Sequence, residues 1–522
     1  MAQQSGIAAS GHAETSQAAA HILEAGGNAF DAVLAALCAA CVAEPMLASF
    51  GGGGFLMAQP VGAPSELYDF FVHTPANKRP ESELEFYPIL ADFGAATQEF
   101  HIGMGSIAVP GVVAGLFEVQ REKCRLPMSE IMAPAIELAR NGVTINRFQN
   151  YISHILAPIL KASDASMQLV ASPENPGQIA TSGEQVYHPD MADMMEALIN
   201  EGPDLFYQGE LAQRLARDCQ SHGGQISRQD MSSYRVIKRQ PIRFSSHGAE
   251  FSFNSPPSPS GCLVAFALGL LEGRDLKKHR WGREFHCLSM VQSMQAANEL
   301  RREYQLDTNL VDQQVAEILE SSHLDQWRDH IAYHTGFSRG TTHMSIADAE
   351  GNLASLTVSN GEGCAYVLPG SGIMLNNMLG EEDLSPGGFH RWTPGRRMAS
   401  MMCPSVASLA DGGWVALGSG GSNRIRSATV QVLVNLFEFE MNLNEAVNAP
   451  RLHLEGNFLS MEDGYQQASV DTLTSQWAEH RIWPGLNMFF GGVHAVERLA
   501  DGSFRGAGDP RRGGAVSVAG PA

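Results

Sequence analysis

Between positions 12 and 45, alanines and leucines recur at helical spacing and are interrupted once by Gly26-Gly27-Asn28, a pattern that predicts two helices separated by a cap and a fresh start. The next stretch differs. Gly51-Gly52-Gly53-Gly54 runs into Phe55-Leu56-Met57, a short apolar segment of strand type. A phosphate-binding glycine loop needs a strand before it and a helix after it, and here the order is reversed. The glycines are therefore expected to serve close packing of bare backbone. Residues 110 to 290 read as mainly helical, with amphipathic segments at 129–140 and 191–200. A Pro- and Ser-rich turn at 255–261 interrupts them and reads equally as a linker or as a fixed loop at a cleft. A further helix is predicted over 284–304.

The pattern changes at Thr341. Met344 and Ile346 alternate with His343, Ser345 and Ala347; beyond Asp348-Ala349-Glu350-Gly351-Asn352, Leu356 and Val358 alternate with Ser355, Thr357 and Ser359. Alternation of period two on both sides of turn residues predicts a hairpin. A turn centred on Glu350 sets Thr341 opposite Ser359, and directly opposed residues hold their Cβ atoms about 4.5–5.5 Å apart on one face. A slip of one residue would undo that pairing. A second hairpin, 405–410 with 414–418 about Asp411-Gly412-Gly413, returns into Gly418-Ser419-Gly420-Gly421-Ser422-Asn423 and a helix predicted over 424–439. Strand, glycine turn and helix N-terminus in that order present free N–H groups to a developing oxyanion. A simple helix cap at Ser422 or Asn423 is the alternative.

Length and composition narrow the classes. A chain of 522 residues, 44% hydrophobic and 17% charged, has the apolar content for a large globular interior in two or more lobes. With 35 basic and 56 acidic residues the net charge is -21, which repels a phosphate backbone and argues against nucleic acid as a partner. The eight cysteines form no C-x-x-C pair, so neither a zinc site nor a disulfide framework is signalled, and buried thiols in a reducing compartment are expected. The most apolar stretch, 29–43, is too short for a bilayer and carries Asp31. No basic-then-apolar leader opens the chain, so a cytoplasmic protein without membrane association is expected, with export left open for a trimmed chain.

Many short motifs, in order along nearly the whole chain, resemble the gamma-glutamyltranspeptidase family. They include Gly26-Gly27-Asn28-Ala29-Phe30-Asp31-Ala32, Glu44-Pro45 leading to Gly51-Gly52-Gly53-Gly54-Phe55, Val109-Pro110-Gly111, Phe206-Tyr207-Gln208-Gly209, the turn at 255–261, Thr341-Thr342-His343, Gly372-Ile373-Met374-Leu375-Asn376-Asn377, Asn448-Ala449-Pro450-Arg451 and Gly508-Asp509-Pro510-Arg511. The resemblance implies an α+β fold, the four-layer αββα sandwich of N-terminal-nucleophile hydrolases. It also implies a precursor that cuts itself between Gly340 and Thr341, leaving fragments 1–340 and 341–522 associated as a heterodimer. The implied activity is hydrolysis or transfer of gamma-glutamyl amides such as glutathione-like small molecules, with no cofactor and no metal.

By the same resemblance Thr341 carries the nucleophilic oxygen and, once cut, the amine that serves as its base. An α-amino group has a pKa of about 7.7–8.0, suited to that task. Gly340 permits the strained backbone expected before cleavage. Ser359 stands where the family has a hydroxyl that orients the nucleophile, and Gly421 and Ser422 stand where paired glycines donate N–H groups to the oxyanion. Substrate recognition is expected from Arg79 on a carboxylate, from Glu381 or Glu382 on an amine, and from Asn360 and Ser400. The segment between Asp383 and Arg396 is shorter than a lid-bearing loop, which implies an open site. Two alternatives stand beside the glutamyl reading: an acylase for another short carboxyl-bearing acyl group, and a catalytically silent relative that acts as a binding protein.

Overall fold

The computed structural model describes residues 4–92, 97–328, 341–385 and 387–521. Two antiparallel sheets stack face to face. The first has seven strands in the spatial order Ala515–Ala519, Gly6–Ser10, Thr342–Asp348, Leu353–Ser359, Gly53–Gln59, Glu66–Phe70 and Ile237–Arg239. The second has six, in the order Phe504–Ala507, Gly492–Arg498, Trp414–Gly420, Ser405–Leu409, Ala249–Phe253 and Ile242–Ser246. Helices cover both outer faces, which gives the expected αββα sandwich.

Alternation decides which layer each side chain joins. Met344, Ile346, Leu356 and Val358 point outward into a core shared with the helices Ala13–Glu24, Ala29–Ala43, Met128–Asn141 and Pro189–Glu201. Phe55, Met57, Ala347 and Leu353 point the other way, into a core shared with the second sheet and its helices Ser260–Leu271, Glu284–Glu303 and Arg424–Phe437. Around the strand Thr342–Asp348 the seam between the sheets is polar. His343 bonds the Thr357 hydroxyl at 2.8 Å and the Ser345 hydroxyl at 2.9 Å, while Ser355 Oγ donates to Leu417 O at 2.9 Å. Burial holds His343 well below the usual imidazole range, which favours its neutral form.

Local chemistry fixes the elements near the site. Asn28 caps the second helix in a reciprocal box with Asp31. Asp348 accepts from the N–H groups of Gly351 and Asn352, which closes the first hairpin where the turn was expected. The stretch 110–290 is less uniformly helical than its periodicity implied, because Ile237–Arg239, Ile242–Ser246 and Ala249–Phe253 are strands that complete the sheets. The turn at 255–261 is a buried, fixed loop and not a linker.

Candidate functional site

The ladder pairs Thr342 with Val358 and His343 with Thr357, so one further step sets Thr341 against Ser359, as the alternation predicts. Both line one narrow cavity of about 30 Å³, along with Phe71, Met378, Glu381, Leu384, Ser400, Met401, Met402, Ser422 and Ile425. Ser359 Oγ accepts the Gly361 N–H at 3.0 Å. The glycine run packs bare backbone against this strand. A Cβ on Gly54 would sit 2.7 Å from Thr357 O, one on Gly51 would sit 2.6 Å from Met374 O, and one on Gly52 would run into Ser359 O.

The second sheet reaches Thr341 from the other side. A Cβ on Gly420 would run into Thr341 O, and one on Gly418 would run into the His343 ring. Two glycines on one strand thus bring its end against Thr341. Arg512 Nη1 donates to the same Thr341 carbonyl at 3.3 Å. On the neighbouring residue, the Thr342 hydroxyl donates to Glu44 Oε2 at 3.0 Å, and Thr15 donates to Glu44 Oε1 at 3.2 Å. Burial pushes the Glu44 carboxyl up to about 7, against the pull of these two hydroxyls.

After Gly420 the chain turns through Gly421 at φ 119° and Ser422 at φ 49° into the helix Arg424–Phe437. Among the described residues, neither the Gly421 nor the Ser422 N–H donates to a backbone carbonyl. The alternative of a simple cap does not hold, since neither side chain caps the helix; Ser422 Oγ instead donates to Asp383 Oδ2 at 2.6 Å.

The expected recognition residues divide. Glu381 and Ser400 line the cavity, and the Ser400 hydroxyl accepts the Met402 N–H at 3.1 Å. Glu382 is exposed and outside the lining, because the short turn Glu382–Leu384 carries it outward. Asn360 is fully buried beside Ser359 but turns its amide to Met374 O at 3.4 Å, away from the cavity. Arg79 lies elsewhere: its guanidinium bonds Cys219 O, Gln220 O and Gly224 O at 3.1–3.2 Å and pairs with Glu83, lining a separate cleft. These bonds place it away from the cavity of Thr341. Thr341 and Ser359 are themselves buried, 4% and 6% exposed, so the open site expected from the short 383–396 segment is not seen at these two residues. Gly340 lies outside the described residues.

The sequence reading missed Asp383, Arg512, Glu44 in its role beneath Thr342, and the apolar walls. Asp383 ends the acidic run Glu381-Glu382-Asp383, and Arg512 directly follows a motif residue; neither carries a spacing signal of its own.

A threonine at the head of a central strand, a hydroxyl facing it across the ladder and a glycine turn beside it, all inside an αββα sandwich, define the N-terminal-nucleophile hydrolase class. The chain belongs to the gamma-glutamyltranspeptidase family, whose model it matches over residues 15–519. It is 31% identical over 520 residues to the Acylase ACY 1 proenzyme of Pseudomonas sp. (strain V22), covering 96% of this chain and 91% of that one. It is 28% identical over 541 residues to the Glutathione hydrolase proenzyme of Escherichia coli (strain K12), covering 97% and 90%. In fold it matches cephalosporin acylase from Bacillus halodurans with a TM-score of 0.81 at 22% identity, covering 99% of this chain and 96% of that one. The gamma-glutamyltranspeptidase of Helicobacter pylori matches with a TM-score of 0.54 at 26% identity, covering 62% and 90%. No helix among the described residues is long and apolar enough to cross a membrane.

Proposed function

We propose that this protein is a self-processed threonine amidohydrolase that takes an acyl group from an amide onto Thr341 and passes it to water or to an amine. The observation that carries this reading is the shared cavity in which Thr341, Ser359 and the Ser422 turn meet. In maturation Thr341 Oγ attacks the Gly340 carbonyl, the Gly340–Thr341 C–N bond breaks to leave an ester and a free, protonated amine on Thr341, and water then cleaves the ester to release fragment 1–340 as an acid. In turnover that amine takes the Thr341 hydroxyl proton as the oxygen attacks the substrate carbonyl. Ser359 orients the oxygen, and the N–H groups of Gly421 and Ser422 receive the negative charge. The departing amine takes the proton, and water or a second amine then cleaves the acyl ester. The names of the related proenzymes support the maturation step.

Acyl preference follows from the walls. Phe71, Met378, Leu384, Met401, Met402 and Ile425 are apolar, Glu381 is the acid of the lining, and no Lys or Arg lines the cavity among the described residues. An acyl group bearing a free carboxylate would lose its hydration here without a cation in return. The geometry therefore favours an acylase acting on an apolar or amine-bearing acyl group. A gamma-glutamyl donor is the second reading, favoured by Glu381, whose carboxylate in that lining could take the amine of a glutamyl group.

Mass spectrometry of the purified protein, alone and after incubation with gamma-glutamyl, glutaryl, succinyl and phenylacetyl anilides, tests both levels. A small fragment beginning at Thr341, carrying a trapped acyl mass, is expected, and Thr341→Ala stays one uncut, inactive chain. A normally cut Thr341→Ala protein removes the nucleophile. A clear preference for the glutamyl anilide over the phenylacetyl one reverses the acyl assignment.

A further inference from the structure

The turn that offers its N–H groups to the oxyanion holds a residue poorly suited to its backbone. Ser422 sits at φ 49°, the left-handed region that favours glycine, and glycine is what the resemblance leads one to expect there. Something must hold Ser422 in that conformation. Its hydroxyl donates to Asp383 Oδ2 at 2.6 Å, and the next side chain, Asn423, leans its amide nitrogen on Asp383 Oδ1 at 3.4 Å. The other end of the Asn423 amide accepts from Arg301 Nη1 at 3.1 Å, and Arg301 is itself locked to both carboxylate oxygens of Asp307 at 2.9 Å. Asp383 also belongs to the short turn Glu382–Leu384, which follows Glu381 and ends on Leu384, two residues of the cavity wall.

We propose that Asp383 is a positioning residue that latches the oxyanion turn through the Ser422 hydroxyl and so ties the acyl-pocket wall to the donor of the hole. Resting on the threonine-hydrolase reading, it adds a cause for how a serine works where a glycine would be free. The latch fixes the direction of the Ser422 N–H. A donor turned away from the oxyanion loses transition-state stabilisation but leaves ground-state binding in place, so the loss falls on kcat and not on KM. Glycine at 422 adopts the same φ without help, so the latch matters only while a Cβ is present.

The test is a set of variants assayed with whichever of the four anilides the wild type turns over fastest, each rate normalised to the amount of Thr341-initiated fragment. Asp383→Ala is expected to lower kcat about 30-fold with KM within about twofold. In a Ser422→Gly background the same change is expected to lower kcat less than about threefold, a coupling that a merely structural role would not give. Ser422→Ala keeps the strain and loses the bond, so its kcat is expected to fall below that of Ser422→Gly; this comparison stands even if Asp383→Ala does not fold. Equal losses from Asp383→Ala in both backgrounds, or Ser422→Ala at least as fast as Ser422→Gly, overturn the latch. A wild type with neither fragment nor turnover refutes the threonine-hydrolase reading instead, a result distinct from an active wild type indifferent to Asp383.

Discussion

The hairpin that carries Thr341 and the irregular wall at 376–402 share one cavity but are held by different physics. The hairpin, Thr342–Asp348 with Leu353–Ser359, is a backbone ladder buried on both faces, and a single register fixes every residue in it, Thr341 included. The wall, 376–402, is irregular chain held by side chains reaching for backbone. Asn376 Oδ1 accepts from Ala108 and Met378, Asn377 Oδ1 accepts from Glu362, and Asn254 and Ser260 both donate to Met402 O. A ladder cannot move one residue without reversing every side chain, whereas a loop changes shape with one substitution. On the proposed reading, bond-breaking chemistry is thus anchored in the rigid part and acyl choice in the adjustable part. That division suits a family whose related proenzymes carry the names of both acylases and glutathione hydrolases.

The largest test of the rigid side is Glu44, which holds Thr342 from below. Its folded value, about 7, lies above the ordinary 4.5, so folding favours the protonated form. Stability from this group is complete below about pH 4.5 and lost as pH rises through about 7, amounting to roughly 3 kcal/mol. Urea unfolding of the uncut Thr341→Ala chain, with and without Glu44→Gln, measures it. The glutamine variant should gain on its parent by about that amount between pH 4.5 and 8; parallel curves would mean that Glu44 is ionised throughout.

Next in size is Ser359→Ala. With the partner hydroxyl gone, kcat should fall about 100-fold, while loss of the Gly361 contact lowers stability by only about 1 kcal/mol. Steady-state kinetics beside a thermal melt separates the two. Unchanged turnover would mean that the pairing of Thr341 with Ser359 is geometric only.

The two regions also differ in how far the sequence reveals them. Period-two alternation and the Asp348 turn were enough to place Thr341 opposite Ser359 and to expect both hairpins, since strand pairing is written in local pattern. The glycine run at 51–54 was legible as close packing because its order excluded a phosphate loop. The wall was not legible. Glu381 and Glu382 are neighbours of equal chemistry, and only a short turn of 3-10 type sends one inward and the other to solvent. Asn360 follows Ser359 directly, so alternation points the two to opposite sides, Ser359 into the cavity and the Asn360 amide onto Met374 O. Asp383 and Arg512 act on the site through contacts 39 and 171 positions away in sequence, which no local period encodes.

Glu381→Gln sharpens the adjustable side. An acyl donor carrying an amine should lose about tenfold in kcat/KM through KM, since a charged partner becomes a neutral one, while a donor without that amine should change less than about twofold. Competition between a gamma-glutamyl anilide and its glutaryl counterpart reads both numbers in one experiment. Equal losses for the two donors would assign Glu381 to holding the wall and not to reading the acyl group.

The smallest effect is expected at Arg79, and it bears on what the comparison excludes. Composition offers few cations, 35 against 56 acids, so an arginine near a proline-bounded loop is a natural candidate for binding a carboxylate. Its guanidinium is instead spent on three backbone carbonyls and on Glu83. A carboxylate would have to displace bonds already made, in a cleft that shares no residue with the cavity of Thr341. Arg79→Ala should therefore leave kcat/KM within about twofold for every anilide and lower stability by about 1 kcal/mol as those carbonyls return to water. A loss of tenfold or more confined to carboxylate-bearing donors would return the arginine to the acyl site, and with it the glutamyl preference that the apolar walls argue against.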